Sequence, residues 1–324
     1  MKKETKKEYK TFSLTQESAQ EIFDKLDFGK VQDISSFKDG MVNDIFLLND
    51  KYVLKVNSSH PEIPKMAREA AVYRKLRDYG VLVPVLHDYY DGNGSFEYPY
   101  VLIDKVPGLN LKDQWDTLSQ EKKNNLIFEL GKILASIHSV NPKDLYLDED
   151  ITFSGNVRKD IDDRITKIAQ HLRSSKVLED ELVNRIESYY KESEAFNLGY
   201  VQSSLSHGNY GFPNIIVSNG KTLGIIDWEW ARFSHSEEEL ATVLYRGLAP
   251  SLFIGNEGED LLNAFKRGYN SIYKISEKFE ERYLMYALLY FLKILPDIVN
   301  WNHKPDKQEE YMSQAMSLIK EIGI

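Results

Sequence analysis

Hydrophobic and polar positions change period several times along the first hundred residues. Over residues 13–26 the apolar positions recur at helical spacing, with Ser13 as the expected cap and Ile22, Phe23 and Leu26 facing inward. Residues 45–48 and 52–56 are short apolar runs joined by Asn49-Asp50-Lys51, the pattern of a hairpin. Pro64 opens a predicted helix through Tyr79, with Ala67, Ala70, Ala71 and Leu76 on its apolar face and Gly80 as its stop. Residues 83–86 and 99–103 read as two more strands, linked by the turn-rich Asp91-Gly92-Asn93-Gly94-Ser95.

Past Gly108 the helical period dominates. Residues 121–139 predict a long amphipathic helix, and 160–173 and 180–190 two more. A mixed segment covers 201–231, and helical patterning resumes from Glu237 to the C-terminus. The pattern predicts an α+β architecture: a small strand-rich N-terminal lobe (1–106), a hinge near 104–108 and a larger, mainly helical lobe (107–324). A length of 324 residues suits two lobes sharing a cleft better than one small domain.

Composition narrows the function classes. Hydrophobic residues at 42% and charged residues at 28% are those of a folded globular chain. A net charge of −9 argues against a nucleic-acid binder, whose phosphate contacts need basic surface. It would concentrate a cationic substrate, and equally it serves solubility alone. The absence of cysteine excludes disulfides, thiolate metal sites and a cysteine nucleophile. The charged Met1-Lys2-Lys3-Glu4 start lacks the apolar stretch of a secretory signal, and no run approaches the roughly 18 apolar residues of a membrane helix. A cytoplasmic location without membrane association is expected.

Candidate chemistry concentrates in Ser206-His207-Gly208-Asn209-Tyr210-Gly211-Phe212-Pro213-Asn214 and Gly224-Ile225-Ile226-Asp227-Trp228-Glu229. Asn and Asp side chains offer hard oxygens, suited to the Mg²⁺ that bridges nucleotide phosphates. Together these stretches resemble the aminoglycoside phosphotransferase and choline kinase superfamily, whose catalytic loop reads His-Gly-Asp-x-x-x-x-Asn and whose metal segment reads Ile-Asp-Trp/Phe-Glu. The resemblance spans about residues 30–270 and implies a protein-kinase-like bilobal fold. The implied activity is ATP- or GTP-dependent phosphorylation of a hydroxyl on a small polar molecule. By position, Asn214 and Asp227 would hold Mg²⁺, His207 would brace the loop and Asn209 would orient the acceptor. Tyr52-Val53-Leu54-Lys55-Val56 resembles the strand whose lysine contacts phosphates, and Arg68-Glu69-Ala70-Ala71 the helix whose glutamate, here Glu69, pairs with Lys55. Gly40 lies where the phosphate-covering turn is expected, and Asp104 and Val106 at the hinge that meets the adenine edge. His138, on a helix that also matches, is expected to be structural.

Two departures stand out. Asn209 occupies the position of the family's catalytic aspartate, and an amide cannot take a proton at neutral pH. His235-Ser236-Glu237-Glu238-Glu239 replaces the usual Asp-Pro-x-x-Asp, keeping only the second acid. The chain is therefore a working kinase with its base elsewhere or unneeded, an engineered inactive variant, or a diverged pseudokinase that binds nucleotide or ligand without catalysis. Two departures favour divergence over a single engineered change. Glu229 and the run Glu237–Glu239 are candidates to face a cationic substrate, with a solvated helix start as the plainer expectation for the run.

Overall fold

The computed structural model describes residues 12–37, 43–94, 96–147, 153–246, 248, 252–298 and 305–324. They form two compact units, between which the chain passes more than once. The first draws on Met1–Lys122, Lys143–Asp150 and His207–Ala231, the second on Lys123–Pro142, Ile151–Ser206 and Arg232–Ile324.

The first unit opens with α1 (Gln16–Lys25), whose cap is Thr15 rather than Ser13. The Thr15 hydroxyl accepts from the Ser18 N–H at 3.1 Å. Strands β1 (Ile34–Phe37), β2 (Asp44–Leu48) and β3 (Tyr52–Val56) follow as antiparallel neighbours. Helix α2 (Lys65–Leu76) starts after Pro64 and ends in a short 3₁₀ turn at Gly80, whose φ of +71° suits glycine. Strands β4 (Leu86–Tyr90) and β5 (Tyr100–Asp104) complete an antiparallel sheet of order β1-β2-β3-β5-β4. The strand expected over 83–86 begins only at Leu86, because Pro84 has no N–H to give a ladder.

The two faces of this sheet are covered differently. Tyr52, Leu54, Val56, Tyr100 and Leu102 pack with Ala19, Ile22 and Phe23 of α1, whereas Val101 packs with Met66 and Ala70 of α2. The same unit holds β6 (Leu109–Asn110), the single turn α3 (Leu111–Gln114), β8 (Ile215–Ser218) and β9 (Lys221–Ile225). Strands β6, β8 and β9 form a three-stranded sheet.

Helix α4 (Gln120–His138) leads into the second unit, which also contains α5 (Val157–Ser175), α6 (Asp180–Glu192) and the short pair β7 (Ser204–Ser206) with β10 (Arg232–Ser234). Helices α7 (Ser236–Arg246), α8 (Gly255–Asn270), α9 (Phe279–Ile298) and α10 (Pro305–Glu321) follow. Gly131 of α4 lets α8 approach so closely that a Cβ there would overlap the Phe265 carbonyl. No described helix is long and apolar enough to cross a membrane.

The run Glu237–Glu239 meets neither expectation made for it. All three side chains are buried and hydrogen-bonded inside this unit. Glu237 binds Arg282 Nε at 2.7 Å, Glu238 binds Arg164, and Glu239 lies 3.1 Å from His138 Nε2. His138, whose Nδ1 is 2.6 Å from the Tyr269 hydroxyl, is thereby a buried link between helices.

Candidate active site

Lys55 owes its position to strand register. Tyr52, Leu54 and Val56 of β3 point to the α1 face, so Lys55, out of phase with them, points to the α2 face. It sits opposite Val101, against which α2 packs, and Glu69 immediately precedes Ala70 in that contact. Lys55 Nζ donates to Glu69 Oε2 at 2.8 Å and to Asp227 Oδ1 at 2.5 Å, with Glu229 Oε2 3.8 Å away. The other Glu69 oxygen accepts from the Tyr73 hydroxyl one helical turn on, at 2.5 Å.

Lys55 is 6% and Glu69 1% exposed, so their charges depend on each other. Burial alone would push the lysine down, but Asp227, Glu69 and Glu229 outweigh it and hold the ammonium above the ordinary lysine range. Burial pushes the Glu69 carboxyl up, and Lys55 offsets only part of that. Asp227 moves the other way: burial raises it, but the Lys55 charge and hydrogen bond bring its pKa below the usual value.

Asp227 lies two residues past β9 with φ +67°, a left-handed conformation that costs a non-glycine residue energy. Trp228 after it is fully buried, its Nε1 donating to the Ile225 carbonyl at 3.0 Å. The ring lies against buried His207, with centroids 4.3 Å apart. His207 Nε2 meets the Ile226 carbonyl at 3.0 Å, which makes that nitrogen the donor. Its Nδ1 then accepts from the Asn209 N–H at 3.2 Å. His207 thus ties the strand end that carries Asp227 to the loop that carries Asn209.

Between them Gly208 has φ +85° and abuts Trp230. A Cβ there would come within 2.5 Å of the Trp230 carbonyl oxygen, so only glycine fits. The Asn209 side chain is exposed, while its carbonyl accepts from Asn214 Nδ2 at 3.0 Å. That bond commits the amide nitrogen of Asn214 and leaves Oδ1 as the end that can meet a cation.

Asp104 and Val106 lie outside both hydrogen-bonded sets. The Asp104 N–H donates to the Val85 carbonyl at 2.9 Å, and its carboxylate is 2.6 Å from His87 Nε2. Among the described residues the Val106 N–H makes no backbone hydrogen bond. Gly40 lies outside the described residues.

Two participants escaped the sequence reading, and a third was given the wrong role. Glu229 does not face outward toward a substrate. It is 4% exposed and accepts from Asn43 Nδ2 at 2.5 Å. Lys65 Nζ lies 3.9 Å from Glu229 Oε2 and 4.6 Å above the Trp230 ring. Burial pushes the Lys65 ammonium down, and Glu229 partly restores it. A signal for Lys65 exists: a lysine in the first turn of α2, with no acid there, opposes the helix dipole and asks for a tertiary partner. Asn43 carries no comparable mark.

Among the described residues no group of three or more His, Asp or Glu is arranged as a metal cage. A carboxylate held ionised (Asp227) and a free amide oxygen (Asn214) instead suit Mg²⁺, which takes one or two protein oxygens and completes its shell with phosphate and water.

Comparison with known proteins gives the family and the fold. Residues 33–281 match the model of the phosphotransferase enzyme family, APH. The streptomycin-ATP-APH(2")-IIa ternary complex superimposes with TM-score 0.66 at 17% identity, covering 96% of this chain and 97% of that one. The GDP and kanamycin complex of APH(2")-IIIa gives 0.67 at 14% identity, covering 95% and 98%. Acyl-CoA dehydrogenase family member 10 of Mus musculus is 23% identical over 267 residues, which are 80% of this chain but only 23% of that protein.

Proposed function

Because the chain belongs to the phosphotransferase enzyme family, which has a protein-kinase-like fold, we propose that it moves the terminal phosphoryl group of ATP or GTP to a hydroxyl of a small polar molecule. One observation carries this reading: Lys55 is kept cationic between a helix carboxylate and a loop carboxylate, an arrangement suited to gripping nucleotide phosphates. In this reading residues 1–106 clamp the nucleotide, and 107–324 supply the catalytic loop, the metal ligands and the acceptor site.

Each residue then has a task. Glu69 stops the Lys55 ammonium from wandering, and Tyr73 fixes Glu69. The backbone at Asp104 and Val106 would meet a purine edge, and Gly40 would belong to the turn over the phosphates. Asp227 and Asn214 would hold Mg²⁺, which would supply neutralisation of phosphate charge. His207 keeps the two loop segments in register. Asn209 orients the acceptor hydroxyl through Oδ1 but cannot accept its proton. Streptomycin and kanamycin in the related complexes make an aminoglycoside one candidate acceptor class.

Asn209 favours a second reading, a pseudokinase that binds nucleotide without transferring phosphate. ADP release with Mg-ATP or Mg-GTP, over a panel of aminoglycosides, choline, homoserine and hydroxy acids, separates the two. Turnover of any acceptor supports the enzyme. Calorimetric Mg-ATP binding with no turnover supports the pseudokinase, and loss of both overturns the role of Lys55.

A further inference from the structure

The helical unit holds two arginines on one buried carboxylate, with two further cations on neighbouring helices. Arg164 of α5 forks onto Glu238, Nη1 to Oε2 at 2.6 Å and Nη2 to Oε1 at 2.8 Å. Arg232 of β10 adds Nη2 to Oε1 at 3.0 Å. Burial would raise the Glu238 carboxyl, but the two guanidiniums hold it ionised, far below the ordinary range. One negative charge therefore answers two positive ones.

Two more cations stand beside them. The Arg246 guanidinium lies 4.6 Å over the Tyr290 ring, and Nη1 donates to the Tyr290 hydroxyl at 2.7 Å. Lys293, an exposed residue three positions after Tyr290 on α9, stands within reach of the charges of Arg232, Arg164 and Glu238. Among the described residues neither Arg246 nor Lys293 has a carboxylate within ion-pair distance. Asp160 and Asp297 attract Arg164 and Lys293 less than Glu238 does. In a chain of net charge −9, like charge collected at one place repels itself unless an anion joins it.

We propose that Arg164, Arg232, Arg246 and Lys293 form a binding site for a small anion bearing carboxylate or phosphate oxygens. The Arg164 and Arg232 side chains are 35% and 29% exposed, so they reach solvent while Glu238 sets their orientation. Guanidinium forks match planar and tetrahedral oxyanions. The same charge repels a polycationic aminoglycoside at this face. The site lies wholly within the helical unit and does not depend on the phosphotransferase reading.

Calorimetric titration of the full chain, without nucleotide, by inorganic phosphate and separately by malate reads the site directly. The Arg246→Gln/Lys293→Gln variant removes the two cations that have no acidic partner. We expect wild-type binding that weakens about 10- to 100-fold in the double variant, the loss of charge-assisted bonds, with an unchanged melting temperature. Phosphate bound tighter than malate identifies a phosphate-bearing ligand, and the reverse a carboxylate. Lys293→Gln alone keeps the test valid if the Arg246 change unsettles Tyr290. Equal affinity in wild type and both variants overturns the proposal, as does no binding of either anion at millimolar concentration. Mg-ATP binding, measured in parallel, reports separately on the Lys55 site.

Discussion

At Lys55 the chemistry and the stability of the first unit rest on one ammonium. Removing it leaves Glu69 buried against Tyr73 alone. Lys55→Met is expected to abolish Mg-ATP binding by calorimetry and to cost about 3–5 kcal/mol in urea unfolding, the cost of an orphaned buried charge. Adding Glu69→Gln should return most of that stability without returning nucleotide binding. If stability does not recover, the pair is not the source of the loss. Asn209 is the opposite case, an exposed side chain whose replacement disturbs no packing. Asn209→Asp restores a carboxylate that can take a proton, and kcat should rise about 10²- to 10⁴-fold with KM for ATP unchanged. An unchanged kcat would mean that the missing base is not the limiting defect. Lys55, Glu69, Asn214 and Asp227 were legible in the sequence because each sits in a short local motif. Asn43 was not, because its partner Glu229 is 186 residues away and nothing in its neighbourhood announces the bond.

Elements were read well where a single period runs unbroken, as in β3 or α4, and poorly where tertiary partners decide. Three consecutive glutamates at the start of α7 look like a dipole-compensating surface turn. Their partners come from α4, α5 and α9, which no local pattern foretells. His235, just before α7, belongs to the same packing. Its Nδ1 lies 2.8 Å from the buried Tyr286 hydroxyl, and burial pushes its pKa below 6.5, with Glu237 only partly opposing. Below about pH 6.5 the unfolded chain therefore takes up a proton that the folded chain refuses. This contribution is fully present above that pH and is lost as pH falls toward the folded pKa. The melting temperature should drop from pH 7 to about 5, and His235→Gln should flatten that drop. An identical slope in the variant would assign the acid sensitivity to another group.

On the scale of the whole molecule, hydrophobic period reveals which segments are helices and strands but not which of them pack together. The Ile225 N–H donates to the Leu82 carbonyl at 2.8 Å, across more than a hundred residues, and such contacts draw 207–231 into the first unit. As a result Lys55, Glu69, His207, Asn209, Asn214 and Asp227 all belong to one compact unit although they are spread along the chain. A ligand that binds only the folded form stabilises it by about 2.7 kcal/mol at a hundredfold excess over Kd. If Mg-ATP is held by these residues, hydrogen exchange at saturation should slow most in 52–56, 65–76 and 207–231. For amides that exchange by opening of that unit the slowing should reach about a hundredfold. Helices α5, α6 and α9 belong to the other unit and should change less. Equal slowing in those helices would mean that the two units open together. Unchanged exchange in β3 and α2, with Mg-ATP bound, would remove Lys55 and Glu69 from the nucleotide site and leave their ion pair a purely structural one.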